Sequence, residues 1–274
     1  MKYPYGKNIL ITGASSGLGK SAAEMFAKAG YSVWGVSRSC NRSEMPCGEG
    51  VIRMLPMNVT DDISVQSATA EILAQAGTLG IVLHCAGFGI AGACEDTPLD
   101  AAHAQMETNY FGVLRVNRAV LPAMRKQGFG LVLVTSSVAG LVSIPFQSHY
   151  ASSKFALEAA VQALRMECRP YGIRAALLEP GDTKTGFTGA RQMTIPENSP
   201  YHAACDRAVG KMAKDEENGK PPESVAKKAL ALAQKKNPRM HNVIGLEYRM
   251  MAGLIKILPE SAAEAILRRM YCGT

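Results

Sequence analysis

Tyr150 and Lys154 are the residues of this sequence best spaced to move a proton. They open and close Tyr150-Ala151-Ser152-Ser153-Lys154 at the start of a predicted helix, and i, i+4 spacing puts phenol and ammonium on one face. A phenol with its ordinary pKa of about 10 is a poor proton donor or acceptor near neutrality. A nearby cation favours the phenolate and lowers that value, so the pair is expected to act as a tuned acid/base. By itself the spacing is common and marks a surface pair. Here it has company. Ser137 follows the apolar run 131–135 within Thr135-Ser136-Ser137-Val138-Ala139-Gly140, and Asn109 heads Asn109-Tyr110-Phe111-Gly112 inside a long predicted helix. Taken singly, Ser137 is a strand-end hydroxyl and Asn109 a capping amide.

A second group of residues suits an anion. The apolar run Asn8–Thr12 passes into Thr12-Gly13-Ala14-Ser15-Ser16-Gly17-Leu18-Gly19, and a helical stretch follows. Strand, glycine turn and helix start form the context a phosphate-binding turn requires. Glycine allows the tight turn and a close backbone approach to a diphosphate. The helix N-terminus adds unpaired N–H groups and a favourable dipole. An ordinary strand-to-helix loop needs neither three glycines nor two hydroxyls so close together. Gly13-Ala14-Ser15-Ser16-Gly17 also fits the G-x-S-x-G elbow of serine hydrolases. An elbow normally follows several strands, whereas this one follows the first, so hydrolysis is set aside.

The end of the second predicted strand discriminates between nicotinamide cofactors. An NAD site places Asp or Glu about 20 residues after the glycines, to hold the ribose hydroxyls. Val36-Ser37-Arg38 stands at that point without an acid. A carboxylate would repel a 2′-phosphate, whereas Ser37 and Arg38 would donate hydrogen bonds and charge to it. NADP(H) is therefore expected in preference to NAD(H). The plain alternative is an exposed arginine after a strand.

These residues need a frame, and the pattern supplies one. Predicted strands at 8–12, 31–37, 51–57, 79–85, 130–136 and 173–179 alternate with helices at 18–29, 61–76, 98–127 and 150–169, and the polar stretch 39–50 reads as a loop. Strands apolar throughout, alternating with helices, imply a parallel sheet covered on both faces. The expected class is α/β, a Rossmann-type doubly wound parallel sheet, which binds ligands at the C-terminal ends of its strands. Ser137 lies at such an end. Beyond Pro180 the sequence reads as a polar segment, helices at 201–218 and 222–236, a short strand at 241–245, and amphipathic helices at 248–258 and 260–270. No linker separates a second domain. The expectation is one catalytic domain over 1–274, with a substrate loop or lid at 182–220 and a helical extension at 246–274.

Read in order, Thr12–Gly19, Cys85-Ala86-Gly87, Asn109, Ser137, Tyr150, Lys154 and Pro180-Gly181 resemble the short-chain dehydrogenase/reductase family in its classical subgroup, and the long C-terminal extension resembles its steroid and retinol members. The match spans about residues 7–185. The resemblance implies that Tyr150 donates a proton in reduction and accepts it in oxidation. It implies that Lys154 holds the nicotinamide ribose and lowers the Tyr150 pKa, that Ser137 steadies the substrate oxygen, and that Asn109 holds a water linking Lys154 to solvent. Gly13, Ser15, Ser16, Gly17, Leu18 and Gly19 would wrap the diphosphate. Asn58-Val59 would be the adenine-side pair. Pro180, Gly181 and Thr183 would line the nicotinamide, with Thr185 contacting its carboxamide. The family's Asn-Asn-Ala-Gly reads His84-Cys85-Ala86-Gly87 here. Cys85 would weaken a hydrogen bond near the cofactor, while Ala86 and Gly87 keep close packing. Family members assemble as dimers or tetramers, so a homo-oligomer through the helices at 98–127 and 150–169 is expected.

Composition narrows the rest. With 47% hydrophobic and 19% charged residues the chain can bury a large core, which rules out disorder. The net charge of +7 comes from scattered residues with no basic run interleaved with aromatics, so nucleic acid is not an expected partner. Seven cysteines without C-x-x-C or zinc spacing predict reduced thiols, no metal site and a cytoplasmic location. No window of about 18 apolar residues predicts a membrane span. Substrate choice is expected from 89–97, 141–149 and 184–215, whose Leu141, Val142, Ile144, Phe146, Phe187, Met193 and Met212 favour an apolar ketone, aldehyde or alcohol, steroid-like or retinoid-like. The same side chains could simply be core. A different class, a binding-only dinucleotide sensor or scaffold on the same fold, would need no tuned phenol.

Overall fold

Strands that bury both faces need layers on both sides, and the central strands here have them. The structure, a computed structural model, describes residues 3–273 apart from the Lys256 side chain. The outer bounds of the expected domain and extension, Met1 and Thr274, lie outside the described residues. The strands are β1 (Asn8–Thr12), β2 (Ser32–Ser37), β3 (Ser43–Cys47), β4 (Gly50–Pro56), β5 (Ile81–His84), β6 (Ile90–Ala91), β7 (Gly130–Thr135), β8 (Ile173–Pro180), β9 (Gln192–Met193) and β10 (Val243–Ile244). The α-helices are α1 (Gly17–Lys28), α2 (Asp62–Ala76), α3 (Leu99–Met106), α4 (Gly112–Gln127), α5 (Ser148–Cys168), α6 (His202–Glu217), α7 (Pro222–Ala233), α8 (Leu246–Ile257) and α9 (Glu260–Tyr271).

The main sheet runs β10-β8-β7-β5-β1-β2-β4-β3. The chain builds outward from β1 to one side, then returns to β5 and builds to the other. That reversal between β1 and β5 is the switch point at which a doubly wound sheet opens a crevice. Successive strand residues face opposite layers. Ile9 and Ile11 join the core under α1 and α7, while Leu10 between them joins the core under α2, α4 and α5.

Three features depart from expectation. The stretch 39–50 is not all loop, because β3 pairs antiparallel with β4 at the sheet edge. Ser43–Cys47 is exposed and contains Pro46, so it carries no hydrophobic alternation to read, and the proline suits an edge. The small parallel pair β6–β9 ties the segment after Gly181 back to the loop after β5. The expected helix over 98–127 is continuous but contains a π-helical turn at Glu107–Phe111, an irregularity often found at functional sites. His84 is fully buried, with Nε2 3.0 Å from Asn117 Oδ1. Burial pushes its pKa down to about 4, so the imidazole is neutral and structural. None of the seven cysteines is in a disulfide.

Candidate active site

The C-terminal ends of β1, β2, β5, β7 and β8 open into one cleft of about 560 Å³. Every residue anticipated for catalysis or cofactor contact lines it, except Gly19 and Asn109. The glycine turn owes its shape to two positions. Gly13 sits at φ +68°, and a Cβ there would lie 2.8 Å from the Ala86 backbone nitrogen. A Cβ on Gly19 would lie 2.3 Å from the Gly13 carbonyl oxygen. The turn can therefore fold back on the first turn of α1 only with hydrogen at both places. Ser16, the N-cap of α1, makes no side-chain capping bond. The helix thus presents backbone donors to the cleft, a donor set suited to a diphosphate. Thr12 Oγ1 accepts from the backbone N–H groups of Cys85 and Ala86, at 3.1 and 3.2 Å, and locks β1 to the segment beyond β5. The Cys85 thiol sits 3.5 Å from Thr135 Oγ1, and burial raises its pKa to about 11, so it is a neutral packing group.

At the adenine side, Ser37 Oγ is buried with no hydrogen-bond partner. Arg38 lines the cleft and pairs with no carboxylate among the described residues. An orphaned hydroxyl beside an uncommitted guanidinium fits a phosphate-bearing ribose. Asn58 Oδ1 is occupied by Thr60, accepting from its N–H at 3.3 Å and its hydroxyl at 3.0 Å. Only the Asn58 amide nitrogen is free to meet a ligand. Val59 packs in the core beside it.

Tyr150 stands in the first turn of α5, with the Ser137 hydroxyl near enough to its phenol to favour the phenolate. Ser137 caps the short 3₁₀ turn Val138–Gly140, accepting from the Ala139 N–H at 3.1 Å. The lead-in to α5 carries Phe146 at φ +63°, a strained conformation for a non-glycine residue. The Phe146 carbonyl accepts from the Gly92 N–H at 3.0 Å, which ties this turn to the segment after β6. Lys154 Nζ lies 5.6 Å from the Tyr150 ring centroid and donates to the Thr135 carbonyl at 2.9 Å.

The electrostatics correct one expectation. Burial, first of all, pushes the Tyr150 phenol up to about 12, assisted by Glu216 and opposed by the Ser137 hydrogen bond and by Arg191. The expected lowering of this pKa by Lys154 does not prevail in the protein alone. Lys154 itself is brought down to about 8 by burial, against the pull of Cys85 and Glu158. At neutral pH the pair is therefore a protonated phenol and a charged but weakly held ammonium. Behind Lys154, His241 Nδ1 lies 2.7 Å from Glu179 Oε1 and 3.4 Å from Glu158 Oε2. Burial raises the Glu158 carboxyl to about 7.

Asn109 is buried and fixed through its side-chain amide. Its Oδ1 accepts from the Phe88 N–H at 3.1 Å, and its Nδ2 donates to the Phe88 carbonyl and to Ser153 Oγ, at 3.0 and 3.1 Å. The side-chain amide is committed to protein partners. Ser153 in turn donates to the Tyr150 carbonyl at 2.7 Å. Asn109 thus braces the segment after β5 against α5.

The far end of the cleft is closed by the C-terminal extension. Tyr248 and Met251 of α8 and Leu267 and Tyr271 of α9 line it. The Tyr248 ring lies against Gly181, and its hydroxyl donates to Asp182. Thr183 and Thr185 both line the cleft, but each hydroxyl also serves the local turn, donating to the Gly181 carbonyl and accepting from the Phe187 N–H. The Phe187 ring is 5.6 Å from that of Tyr150. Arg191 pairs with Glu216, which also lines the cleft. The polar groups Gln147, Asp182, Glu216 and Tyr248 carried no motif, so spacing alone did not single them out.

Comparisons with known proteins establish the family. The family model described as "short chain dehydrogenase" matches residues 7–195. A 3-ketodihydrosphingosine reductase of Bacteroides thetaiotaomicron is 36% identical over 266 residues, covering 96% of this chain and 97% of that protein. An alcohol dehydrogenase of Thermococcus sibiricus, solved with 5-hydroxy-NADP, is 26% identical with a TM-score of 0.70, covering 86% and 95% of the two chains. A Burkholderia phymatum short chain dehydrogenase/reductase solved with NAD shares the fold at 22% identity and a TM-score of 0.79, covering 93% and 95%. Over most of its length, therefore, this chain belongs to the short-chain dehydrogenase/reductase family of oxidoreductases.

Proposed function

We propose that the protein is an NADP(H)-dependent oxidoreductase that interconverts an apolar ketone or aldehyde and its alcohol, with a long-chain lipid ketone as the substrate class. One observation carries this reading. Tyr150, one helical turn from Lys154 and with the Ser137 hydroxyl near its phenol, lines the same cleft as the glycine turn and the apolar Val142, Ile144, Phe187 and Met251. The 36% identity to a 3-ketodihydrosphingosine reductase supports a long-chain ketone over a compact one.

When bound, the nicotinamide supplies or accepts the hydride. The chain's own residues do the rest. Gly13 to Gly19 and the start of α1 hold the diphosphate, and Ser37 and Arg38 hold the 2′-phosphate. Asn58 and Val59 border the adenine, and Pro180, Gly181, Thr183 and Thr185 the nicotinamide side, with Cys85, Ala86 and Gly87 as the packed floor. Ser137 holds the substrate oxygen and stabilises the charge that develops on it. Tyr150 delivers its proton to that oxygen in reduction and takes it back in oxidation. Lys154 binds the ribose and stabilises the phenolate left on Tyr150. Asn109 acts as a positioning residue, through Phe88 and Ser153. The segment 182–220 and helices α8 and α9 cover the substrate. Phe111, Phe155 and Met166, all exposed, supply an apolar face for a homo-oligomer through the helices at 98–127 and 150–169.

The cofactor choice is tested by Arg38→Asp with long-chain ketones, steroids and retinal as substrates. Loss of a charge-assisted contact to phosphate should lower kcat/KM for NADPH at least about tenfold and leave that for NADH level or higher. An unchanged NADPH-to-NADH ratio would remove Arg38 as the phosphate reader.

A further inference from the structure

A helix that packs only on its own fold needs one apolar stripe, yet α8 and α9 each have two. The inner stripes, Tyr248 and Met251 with Leu267 and Tyr271, line the cleft. The outer stripe of α8 is Leu246, Met250, Leu254 and Ile257, at spacings of four, four and three, exposed by 65, 67, 50 and 80%. On α9, Ile266 and Met270 are exposed as well, at 42 and 41%. The four α8 side chains form an unpartnered apolar stripe on the outside of the pocket's cover.

Cations flank this surface. Lys228 of α7 has Lys235, Arg239 and Arg249 of α8 within electrostatic range, and with burial they hold its ammonium below the ordinary value. None of these four pairs with a carboxylate among the described residues. The nearby Glu247 is engaged by Lys220 at 3.4 Å, and α9 carries Glu260 and Glu264. Pairing this face with a second copy would bring both sets of cations into one interface, at a Coulombic cost. A negatively charged surface relieves that cost and takes up the apolar stripe in the same contact.

We propose that the outer face of α8 and α9, with the cationic cluster beside it, docks on the surface of an anionic phospholipid bilayer. The helices lie in the plane of the interface, and no helix of the described residues is long and apolar enough to cross a membrane. Docking would set the covered end of the cleft against the lipid phase. The docking claim stands on exposure and charge and does not depend on which ketone is reduced.

The test is flotation of the full chain with vesicles of phosphatidylcholine and phosphatidylglycerol in equal parts, and with phosphatidylcholine alone. The protein should float with the mixed vesicles, float less with neutral ones, and be released by salt. Met250→Glu combined with Ile257→Glu should reduce the bound fraction at least about tenfold, as should Lys235→Glu combined with Arg239→Glu. Tm and NADPH binding should be unchanged in both, since none of these residues lines the cleft. No flotation would overturn the proposal, as would equal flotation of either variant or binding indifferent to phosphatidylglycerol. Sedimentation showing that the Met250→Glu, Ile257→Glu variant loses a dimer, with no vesicle binding by the parent, would assign the face to a second copy instead.

Discussion

Tyr150→Phe should leave the fold and dinucleotide binding intact and lower carbonyl turnover about 10³-fold. The substitution removes one oxygen and no packing. The ring still meets Phe187, whose centroid is 5.6 Å away, and Ser137 keeps its bonds to the Ala139 N–H and the Pro180 carbonyl. No other side chain takes over the proton. Lys154 points its ammonium at the Thr135 carbonyl, 2.9 Å away, and Ser137 is a far weaker acid than a phenol. Fluorescence titration with NADPH checks binding, and loss of absorbance in the presence of a long-chain ketone checks turnover. Retained turnover would remove the proposed acid/base. A parent protein that binds NADPH and turns over no carbonyl compound would instead point to a dinucleotide sensor on the same fold.

The second large effect lies in the glycine turn. A Cβ at position 19 would meet the Gly13 carbonyl oxygen at 2.3 Å and its carbon at 2.7 Å. These are backbone atoms that no rotamer change can withdraw. Gly13 cannot yield, because at φ +68° it is itself held against the Ala86 backbone. Gly19→Val should therefore displace the turn from the start of α1 and weaken NADPH binding at least about 100-fold, with overpacking costing about 1–3 kcal/mol of stability. Calorimetric titration with NADPH and thermal melting separate the two losses. Binding within a few-fold of the parent would mean that this turn does not hold the dinucleotide.

What could be read from the sequence divides along physical lines. The buried strands and the helices over them follow from local pattern, because apolar runs and turn glycines sit next to the elements they define. The convergence of Gly13, Ser37, Ser137, Tyr150 and Lys154 was legible for a related reason. Gly13, Ser37 and Ser137 lie at or just beyond strand ends, which a doubly wound sheet gathers at its switch point, and Tyr150 and Lys154 share one face of the helix that follows β7. The strand β3 was not legible, since an exposed edge strand containing Pro46 has no alternation to show. Nor was the use of the Asn109 amide, which depends on Phe88 and Ser153, 21 and 44 residues away. The phenol's raised pKa was misjudged because spacing reveals a neighbouring charge but not desolvation, and burial is the largest cause here. Glu216 and Tyr248 reach the cleft by tertiary packing of segments whose sequence reads only as polar loop and amphipathic helix.

The claim on which the mechanism rests is that reduction draws its proton from Tyr150 while Lys154 is charged. The free protein holds Lys154 near 8, lowered by burial, and Tyr150 near 12. A lysine with a depressed pKa loses its proton earlier as pH rises, whereas the phenol keeps its own throughout that range. The pH dependence of kcat/KM for NADPH in ketone reduction, which reports groups of the free enzyme, is therefore the most direct measurement. It should be level below about 8 and fall tenfold per pH unit above it, with a one-proton slope. A profile that stays level, or rises, from neutrality to well above that point would contradict the account.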